Sequence, residues 1–387
     1  MAMRLLIKSG SSTVDAINLF SKMTWSGDYQ QCCRTLEFSV VSSPANQVGV
    51  PKVKCELGNA VSLYRNNQLL FEGWVHRREK STTDNVITYT AYDRGYYLNQ
   101  NKVVEKAVDT TPEAWTRYLC QKYGVKVGSI ATTGFKFSRN FLGGETLYEC
   151  IQTGYTLAGA KSKKRYQIRF TGDSLNVFEK AKNDNTLVIK GGVNLMDATI
   201  SESVEKMVNQ VDIYDKDDKF VKSVKNEDAI KLYGLMRGYL KQDDKKDSNA
   251  EAQKTLDDNG VDRKVTINGF GNINSLTGTT VIVQEPYTGL NGLFWIDNDM
   301  HTWKNGMYLN KLTLNFRNIM DEVESGSEPE SNSKLSTTTK KTSSTTAKKT
   351  TIQKAEKQKT IKKKPIKKKT SKKHKIVTLD DIRKYIK

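Results

Sequence analysis

The sequence predicts a mainly β protein of the α+β class: two related β-barrel domains, an inserted small α+β module, further helical segments and a disordered basic C-terminal tail ending in a short helix. Three observations predict this fold. Apolar and polar residues alternate through most of the first hundred residues, similar alternation returns before residue 316, and the chain after residue 323 has almost no aromatic residues. With 387 residues, 37% of them hydrophobic, the chain is long enough for two or three domains.

The domain boundaries follow from changes in composition and periodicity. They predict a first β-barrel domain at residues 1–105, the α+β module at 106–190, a second β-barrel domain at 191–322 with a helical insertion at about 225–260, a flexible Lys/Ser/Thr-rich tether at 323–375 and a short helix at 376–387. The tether has too few large apolar residues to offset the entropy lost on ordering.

The first domain is predicted from strands joined by short turns. Leu36, Phe38 and Val40 lie on one side of an alternating segment, and Val53 and Cys55 repeat the pattern. Because no helix-sized segment separates these strands, a barrel or sandwich is favoured over a parallel sheet.

The α+β module is predicted from a change to helical spacing. One helix begins after a Thr cap with Pro112 in its first turn, a second follows Gly144, and a hairpin turns at Gly172 and Asp173. The apolar residues of the two helices are Trp115, Leu119 and Tyr123 in the first and Leu147, Ile151 and Tyr155 in the second. Helical spacing returns at residues 226–240 and 250–260, between β segments.

The second β region repeats a pattern of the first. Gly58-x-x-Val61-x-Leu63 is matched by Gly278-x-x-Val281-x-Val283, and a Trp followed by a branched apolar residue comes 16 or 17 residues after the glycine, at Trp74 and Trp295. Two degenerate β segments could agree by coincidence. The alternative is two related barrel domains in one chain, and self-similarity favours looking for a repeated architecture.

The net charge of +19 belongs mainly to the tail. Residues 325–387 hold 20 Lys+Arg against 5 Asp+Glu, which leaves +4 for residues 1–324. This distribution argues against nucleic-acid binding by the body. The candidate polyanion contacts are six lysines of the tail, Lys362, Lys363, Lys364, Lys367, Lys368 and Lys369. No aromatic residue is interleaved with them for base stacking, so specific nucleic-acid recognition is not indicated.

The last residues of the tail predict an amphipathic helix. Thr378 is a candidate N-cap with Asp381 three positions on, and Leu379, Ile382 and Ile386 share one face as candidate partner-docking residues. A helix this short forms only when its apolar face is covered. The tail is therefore a solvated tether, a tether whose end docks on a partner, or a polyanion contact, and docking is preferred.

The sequence predicts no cofactor, no metal site and no membrane span. Five cysteines form no C-x-x-C pair and should be reduced, packed thiols. Gly269-Phe270-Gly271 and Asp215-x-Asp217 each begin like a ligand-binding motif but lack its later residues, so both are interpreted as turns. No apolar run reaches about 18 residues, and the N-terminus lacks a secretory signal, so a soluble protein made in the cytosol is expected.

No catalytic residue is predicted. His76, His301 and His374 form no pair at a spacing suited to metal binding or catalysis. A glycan hydrolase needs only two acids across a cleft, and two pairs could be proposed: Asp297 with Asp299, and Asp93 with Glu72. Chance produces such pairs easily in an acid-rich chain, so the body is expected to be non-catalytic.

The order of several segments resembles a known family. They are VSLYRNNQLLFEGWVHRRE, ITYTAYDRGYYLNQN, TPEAWTRYLCQKYGV, KGGVNLMDATISESVEKMVNQVDIYD, IKLYGLMRGYL and the closing run TGTTVIVQEPYTGLNGLFWIDNDMHTWKNGMYLNKLTL. Over residues 1–320 the chain is similar to baseplate hub proteins of contractile phage tails and phage-tail-like particles, the late-control gene D family of the XkdQ/YqbQ type. The Lys-rich tail departs from that pattern.

The resemblance implies a virion or phage-tail-like bacteriocin particle protein, assembled in the host bacterial cytoplasm. It implies a homotrimer whose six barrels adapt a six-fold tail tube to a three-fold spike, with tail tube, spike, baseplate wedge and tape-measure proteins as partners. Two alternatives stay open at this point: a tail-associated peptidoglycan hydrolase, and a polyanion- or nucleic-acid-binding tail protein.

Overall fold

The computed structural model describes residues 3–41, 53–81, 85–182, 186–243 and 247–329. All of them belong to the first of two compact units, Met1–Ser331. The second unit, Asn332–Lys387, holds the candidate docking and polyanion residues and lies outside the described residues.

The N-terminal segment is built of strands, as predicted. They are β1 (Met3–Ser9), β2 (Ser12–Asp15), β3 (Phe20–Asp28), β4 (Thr35–Val41), β5 (Ala60–Arg65), β6 (Gln68–Lys80) and β7 (Val86–Asp93). Alternation of burial explains why they are strands: in β4, Leu36, Phe38 and Val40 are buried, whereas the residues between them face outward.

The middle of the chain forms a small α+β module. Its elements are α1 (Gly95–Gln100), β8 (Lys102–Thr110), α2 (Pro112–Lys122), β9 (Lys126–Ile130), β10 (Phe137–Thr146), α3 (Leu147–Ser162), β11 (Tyr166–Thr171) and β12 (Ser174–Glu179). Thr111 caps α2, and Thr146 with Glu149 forms a capping box at the start of α3. Both predicted helices and the hairpin that turns at Gly172 and Asp173 are confirmed.

The C-terminal elements return to β structure around a small insertion. They are β13 (Leu187–Lys190), β14 (Leu195–Ser203), β15 (Gln210–Tyr214), β16 (Phe220–Lys225), α4 (Glu227–Tyr233), β17 (Arg237–Lys241), α5 (Ser248–Asp258), β18 (Asp262–Phe270), β19 (Thr280–Glu285), β20 (Leu290–Lys304) and β21 (Met307–Asn315). The helical prediction for residues 226–240 was wrong beyond Tyr233. Gly234, with φ of 82°, ends α4, and Arg237–Lys241 pairs with β15 instead.

The fold is mainly β, as predicted, but over the described residues its large sheet is not closed into barrels. Within the described ranges, thirteen strands form one sheet in the order β14-β18-β21-β20-β3-β4-β7-β6-β5-β1-β2, with β19 on the other part of β20 and β13 beside β19. The two predicted barrel domains are therefore joined in one sheet through β3 and β20. This pairing joins residues about 270 positions apart, which local periodicity cannot predict.

Two halves of this sheet share one strand order, as expected for two related β domains. The N-terminal repeat has the spatial order β3-β4-β7-β6-β5-β1, and the C-terminal repeat has β14-β18-β21-β20-β19-β13. These strands also follow one another in the same sequence order. The one difference in direction is that β1 is antiparallel to β5, whereas β13 is parallel to β19.

Separate apolar cores support these parts of the fold. One core lies in each repeat, a third joins α1, α2 and α3 to the strands of the module, and a small fourth packs α5 on β15. All five cysteines are buried and unpaired, as the sequence predicts.

Candidate functional site

Charged and polar side chains are deeply buried at the junction between the repeats. Strand β3 pairs antiparallel with the second half of β20, from Asp28 opposite Asn298 to Lys22 opposite Lys304. Strand β20 is long enough for this because its first half, Leu290–Trp295, pairs with β19. The two repeats thus share a continuous backbone hydrogen-bond ladder.

A buried ion pair holds this junction together. The Arg34 guanidinium donates two hydrogen bonds to the Asp299 carboxylate, one of them over 3.0 Å, and the two side chains are 5% and 0% exposed. The backbone N–H of Thr277 donates to the same carboxylate over 2.6 Å. Burial by itself raises the pKa of Asp299, but the adjacent guanidinium outweighs it and holds the pKa well below the usual range.

His301 lies beside this pair as a neutral structural residue. Its Nδ1 lies 2.8 Å from the Asn310 amide nitrogen and 2.7 Å from the Tyr308 hydroxyl, both of which can donate to it. That arrangement leaves the ring proton on Nε2, 3.1 Å from the Asp299 carboxylate. Burial lowers the pKa of His301, which keeps the ring neutral.

Aromatic and charged groups extend the cluster towards the module. The Arg34 guanidinium lies 4.0 Å from the centre of the Trp25 ring. The backbone N–H of Arg34 donates to the Asp93 carboxylate over 3.0 Å. Burial raises the pKa of Asp93 to about 7. Arg169, on β11 of the module, is buried near Arg34. Burial, and after it the charge of Arg34, lowers the pKa of Arg169 to about 10.

A second set of contacts ties the module to the C-terminal repeat. The buried Lys180 amine donates to the carbonyl of Ile319 over 2.6 Å, and burial lowers the pKa of Lys180 to about 8. The chain after β21 then follows α3, where the Tyr148 hydroxyl donates to Asp321 over 2.7 Å. It continues along α3 past residue 323, the predicted start of the tether, since the Ser325 N–H donates to Thr153.

Three of the four candidate acids, Asp93, Asp297 and Asp299, are engaged in structural contacts. Asp299 is held by Arg34, Asp93 accepts backbone N–H bonds from Arg34 and Gly95, and Asp297 accepts from the Asn315 amide. A cavity of about 310 Å³ lies between β6 and the α+β module, and none of the four candidate acids lines it. Burial raises the pKa of Asp297 to about 6.

Among the ranges that the structure describes, no three His, Cys, Asp or Glu side chains come together as metal ligands would. Within those ranges no helix is both long and apolar enough to cross a membrane.

Sequence reasoning did not find the central residue of the junction. Asp299 and His301 were singled out, but Arg34 lies 265 positions from its partner and belongs to no local motif. The one available signal was an arginine at the start of a strongly alternating strand. The six candidate lysines and the docking residues Leu379, Ile382 and Ile386 lie outside the described residues.

The chain is similar to several phage-related proteins. A family model described as YQBQ-like matches residues 23–315. The chain is 22% identical over 305 residues to the phage-like element PBSX protein XkdQ of Bacillus subtilis (strain 168), covering 76% of this chain and 92% of that protein. It is 24% identical over 278 residues to the uncharacterized protein YqbQ of the same strain, covering 69% and 84%.

Two solved structures with similar folds are tail proteins. The 43 kDa tail protein of prophage MuSo2 from Shewanella oneidensis superposes with a TM-score of 0.63 at 13% identity, covering 80% of this chain and 97% of that one. The tail protein of Neisseria meningitidis MC58 gives a TM-score of 0.60 at 13% identity, covering 84% and 99%. At this level of identity the similarity concerns the fold.

Proposed function

This chain belongs to the YQBQ-like family of phage tail and baseplate structural proteins, and we propose that it is the baseplate hub of a contractile tail. In this proposal three copies form a ring that joins a six-fold tail tube to a three-fold spike. The particle is a phage or a phage-tail-like bacteriocin, and assembly takes place in the cytoplasm of the host bacterium.

The observation that supports the proposal most is the common strand order of the two repeats. Three copies of a chain with two equivalent repeats present six similar surfaces on one face of a ring. A tail tube with six-fold symmetry can then bind six similar sites, while a spike with three-fold symmetry binds features that occur once per chain, such as the α+β module or the insertion at β15–α5.

A structural role also agrees with the chemistry of the buried polar groups. Asp299, Arg34 and His301 are shielded from solvent and contact one another, so they cannot reach a substrate without opening the junction. The body is therefore proposed to be non-catalytic, and the tail tube, spike, wedge and tape-measure proteins are its proposed partners.

The mass of the purified full-length chain tests the trimer. Light scattering over a concentration series should give three times the chain mass of 43.7 kDa, and electron microscopy of that species should reveal a ring with six similar densities. A monomer at every concentration would contradict the proposal. A zymogram on cell-wall material separates the hydrolase alternative, because a clearing zone abolished by Asp297→Asn or Glu72→Gln would require an enzyme.

For the C-terminal tail we propose docking through Leu379, Ile382 and Ile386 on another particle protein. Deleting residues 376–387 should impair particle assembly or the incorporation of a partner, and normal, fully infectious particles would contradict docking. If the block from Lys362 to Lys369 contacts a polyanion instead, binding should weaken steeply with salt.

A further inference from the structure

Two other strand edges of the sheet correspond to the two edges that meet in the β3–β20 junction. Neither of them is paired with a described strand. By strand order, β14 of the C-terminal repeat corresponds to β3, and the end of β6 corresponds to the second half of β20. Among the described strands, β14 pairs with β18 alone. Strand β5 covers β6 only as far as Trp74, and no described strand pairs with that edge of β6 over Arg77–Lys80.

The registers of the two repeats define the equivalent residues. Trp74 pairs with the first residue of β5 and Trp295 with the first residue of β19, and each tryptophan is followed by the same one-residue bulge against the next strand. Counting from the bulge, Arg78 corresponds to Asp299. Ile200 pairs with Val265 as Trp25 pairs with the equivalent residue Leu36, so Ile200 corresponds to Trp25. Two residues further on, Glu202 therefore corresponds to Gly27.

Burial differs between the repeats at β14. On the neighbouring strands some equivalent core residues are buried alike, such as Leu36 and Val265, both 0% exposed. On β14 the burial differs: Ala198 and Ile200 are only partly buried, whereas their counterparts Met23 and Trp25 are 0% and 3% exposed because β20 pairs beside them. The apolar side chains of β14 thus lack a neighbouring strand like β20, which lies beside β3.

The two unpaired edges have opposite charge. Strand β14 carries Asp197 and Glu202 and no basic residue, whereas the end of β6 carries Arg77, Arg78 and Lys80 against one acid, Glu79. In the junction Gly27 lies opposite Asp299, so the same register would bring Glu202 opposite Arg78. Opposite charges directly across two strands stabilise their pairing.

We propose that β14 of one copy pairs antiparallel with Arg77–Lys80 of β6 in a second copy, in the register of the β3–β20 junction. This inference rests on the proposed hub function, and it names the surface through which the copies assemble. The contact is head-to-tail, so each copy offers one edge and receives one, and a ring closes with no exposed edge of this kind. Closure also removes an edge strand that would otherwise pair indiscriminately.

Cysteine cross-linking in the full-length chain tests the register. The double variant Glu202→Cys with Arg78→Cys should form dimers and trimers on a non-reducing gel after mild oxidation, since residues directly opposite have Cβ atoms about 5 Å apart. In the matched control Arg78→Cys is combined with Arg263→Cys, because Arg263 is the partner of Glu202 on β18, one strand further away. The five native thiols are buried and should not contribute.

Charge reversal supplies a second measurement that a folding defect would not reproduce. Arg78→Glu and Glu202→Arg should each raise the concentration for half-assembly about tenfold or more, and the combination of both should restore most of the loss. If the wild-type chain forms trimers but the cross-link is absent and Arg78→Glu has no effect, the edge pairing is wrong and the hub proposal stands. If the wild-type chain stays monomeric and forms no cross-link, both fail.

Discussion

Replacing Arg34 by methionine isolates the energetic role of the buried junction. Methionine keeps most of the arginine stem but removes the guanidinium, so the Asp299 carboxylate, at 0% exposure, loses its counter-ion and is left with Thr277 and His301. Breaking a buried ion pair by removing one partner costs about 3–5 kcal/mol, because the remaining charge is uncompensated. We expect Arg34→Met to lower the free energy of unfolding by that amount.

Urea denaturation followed by tryptophan fluorescence measures this loss of stability. Trp25 contacts Arg34, so the fluorescence of Trp25 reports on the junction directly. The matched control is Arg4→Met, which removes an exposed pair with Asp15, 53% and 34% exposed at 3.3 Å, and should cost less than about 1 kcal/mol. Equal losses in the two variants would refute the assignment of a central role to the junction.

The pH dependence of the same pair has a defined sign. The folded-state pKa of Asp299 is depressed, so the stability that it contributes is present above the unfolded pKa of about 4 and is lost as the pH falls towards the folded value. The difference between wild type and Arg34→Met should therefore be largest near neutral pH and shrink in acid. A difference that grows in acid would contradict this interpretation.

Three further predictions concern single residues. Burial raises the pKa of Asp93 to about 7, so the contribution of Asp93 to stability is lost as the pH rises from about 4 to 7. The stability of Asp93→Asn relative to wild type should therefore rise across that pH window. A difference that does not change with pH would contradict the shift. Gly95→Ala should cost about 1–3 kcal/mol of stability in urea denaturation, because the added Cβ would lie 2.6 Å from the Cys32 carbonyl oxygen. In the control Gly191→Ala the nearest atom to the added Cβ is 3.9 Å away, and stability should change by less than about 0.5 kcal/mol. Equal costs in the two variants would argue against the close contact at Gly95. Thr146→Ala should cost about 1 kcal/mol by loss of the capping box, whereas Thr146→Ser should retain the cap, and an unchanged urea midpoint for the alanine variant would refute it.

The predictable part of the candidate site was its chemistry, not its arrangement. Asp299 was one of the candidate acids and His301 one of three histidines in the sequence, and both are buried at the junction. Arg34 could not be selected among the chain's many basic residues, because its role depends on a partner in the other repeat. The candidate docking residues of the tail remain a prediction from sequence.

The sequence by itself determined the local elements: alternating strands, the capped helices α2 and α3, the hairpin between β11 and β12 and the repeated Gly–Val–Trp pattern. These follow from side-chain periodicity and capping, which act over a few residues. Only the tertiary structure decided that β3 joins β20 in one open sheet, that Arg237–Lys241 is a strand, and that β14 is an edge. Strand pairing depends on which distant backbone edges and buried charges meet, and no local pattern encodes that choice.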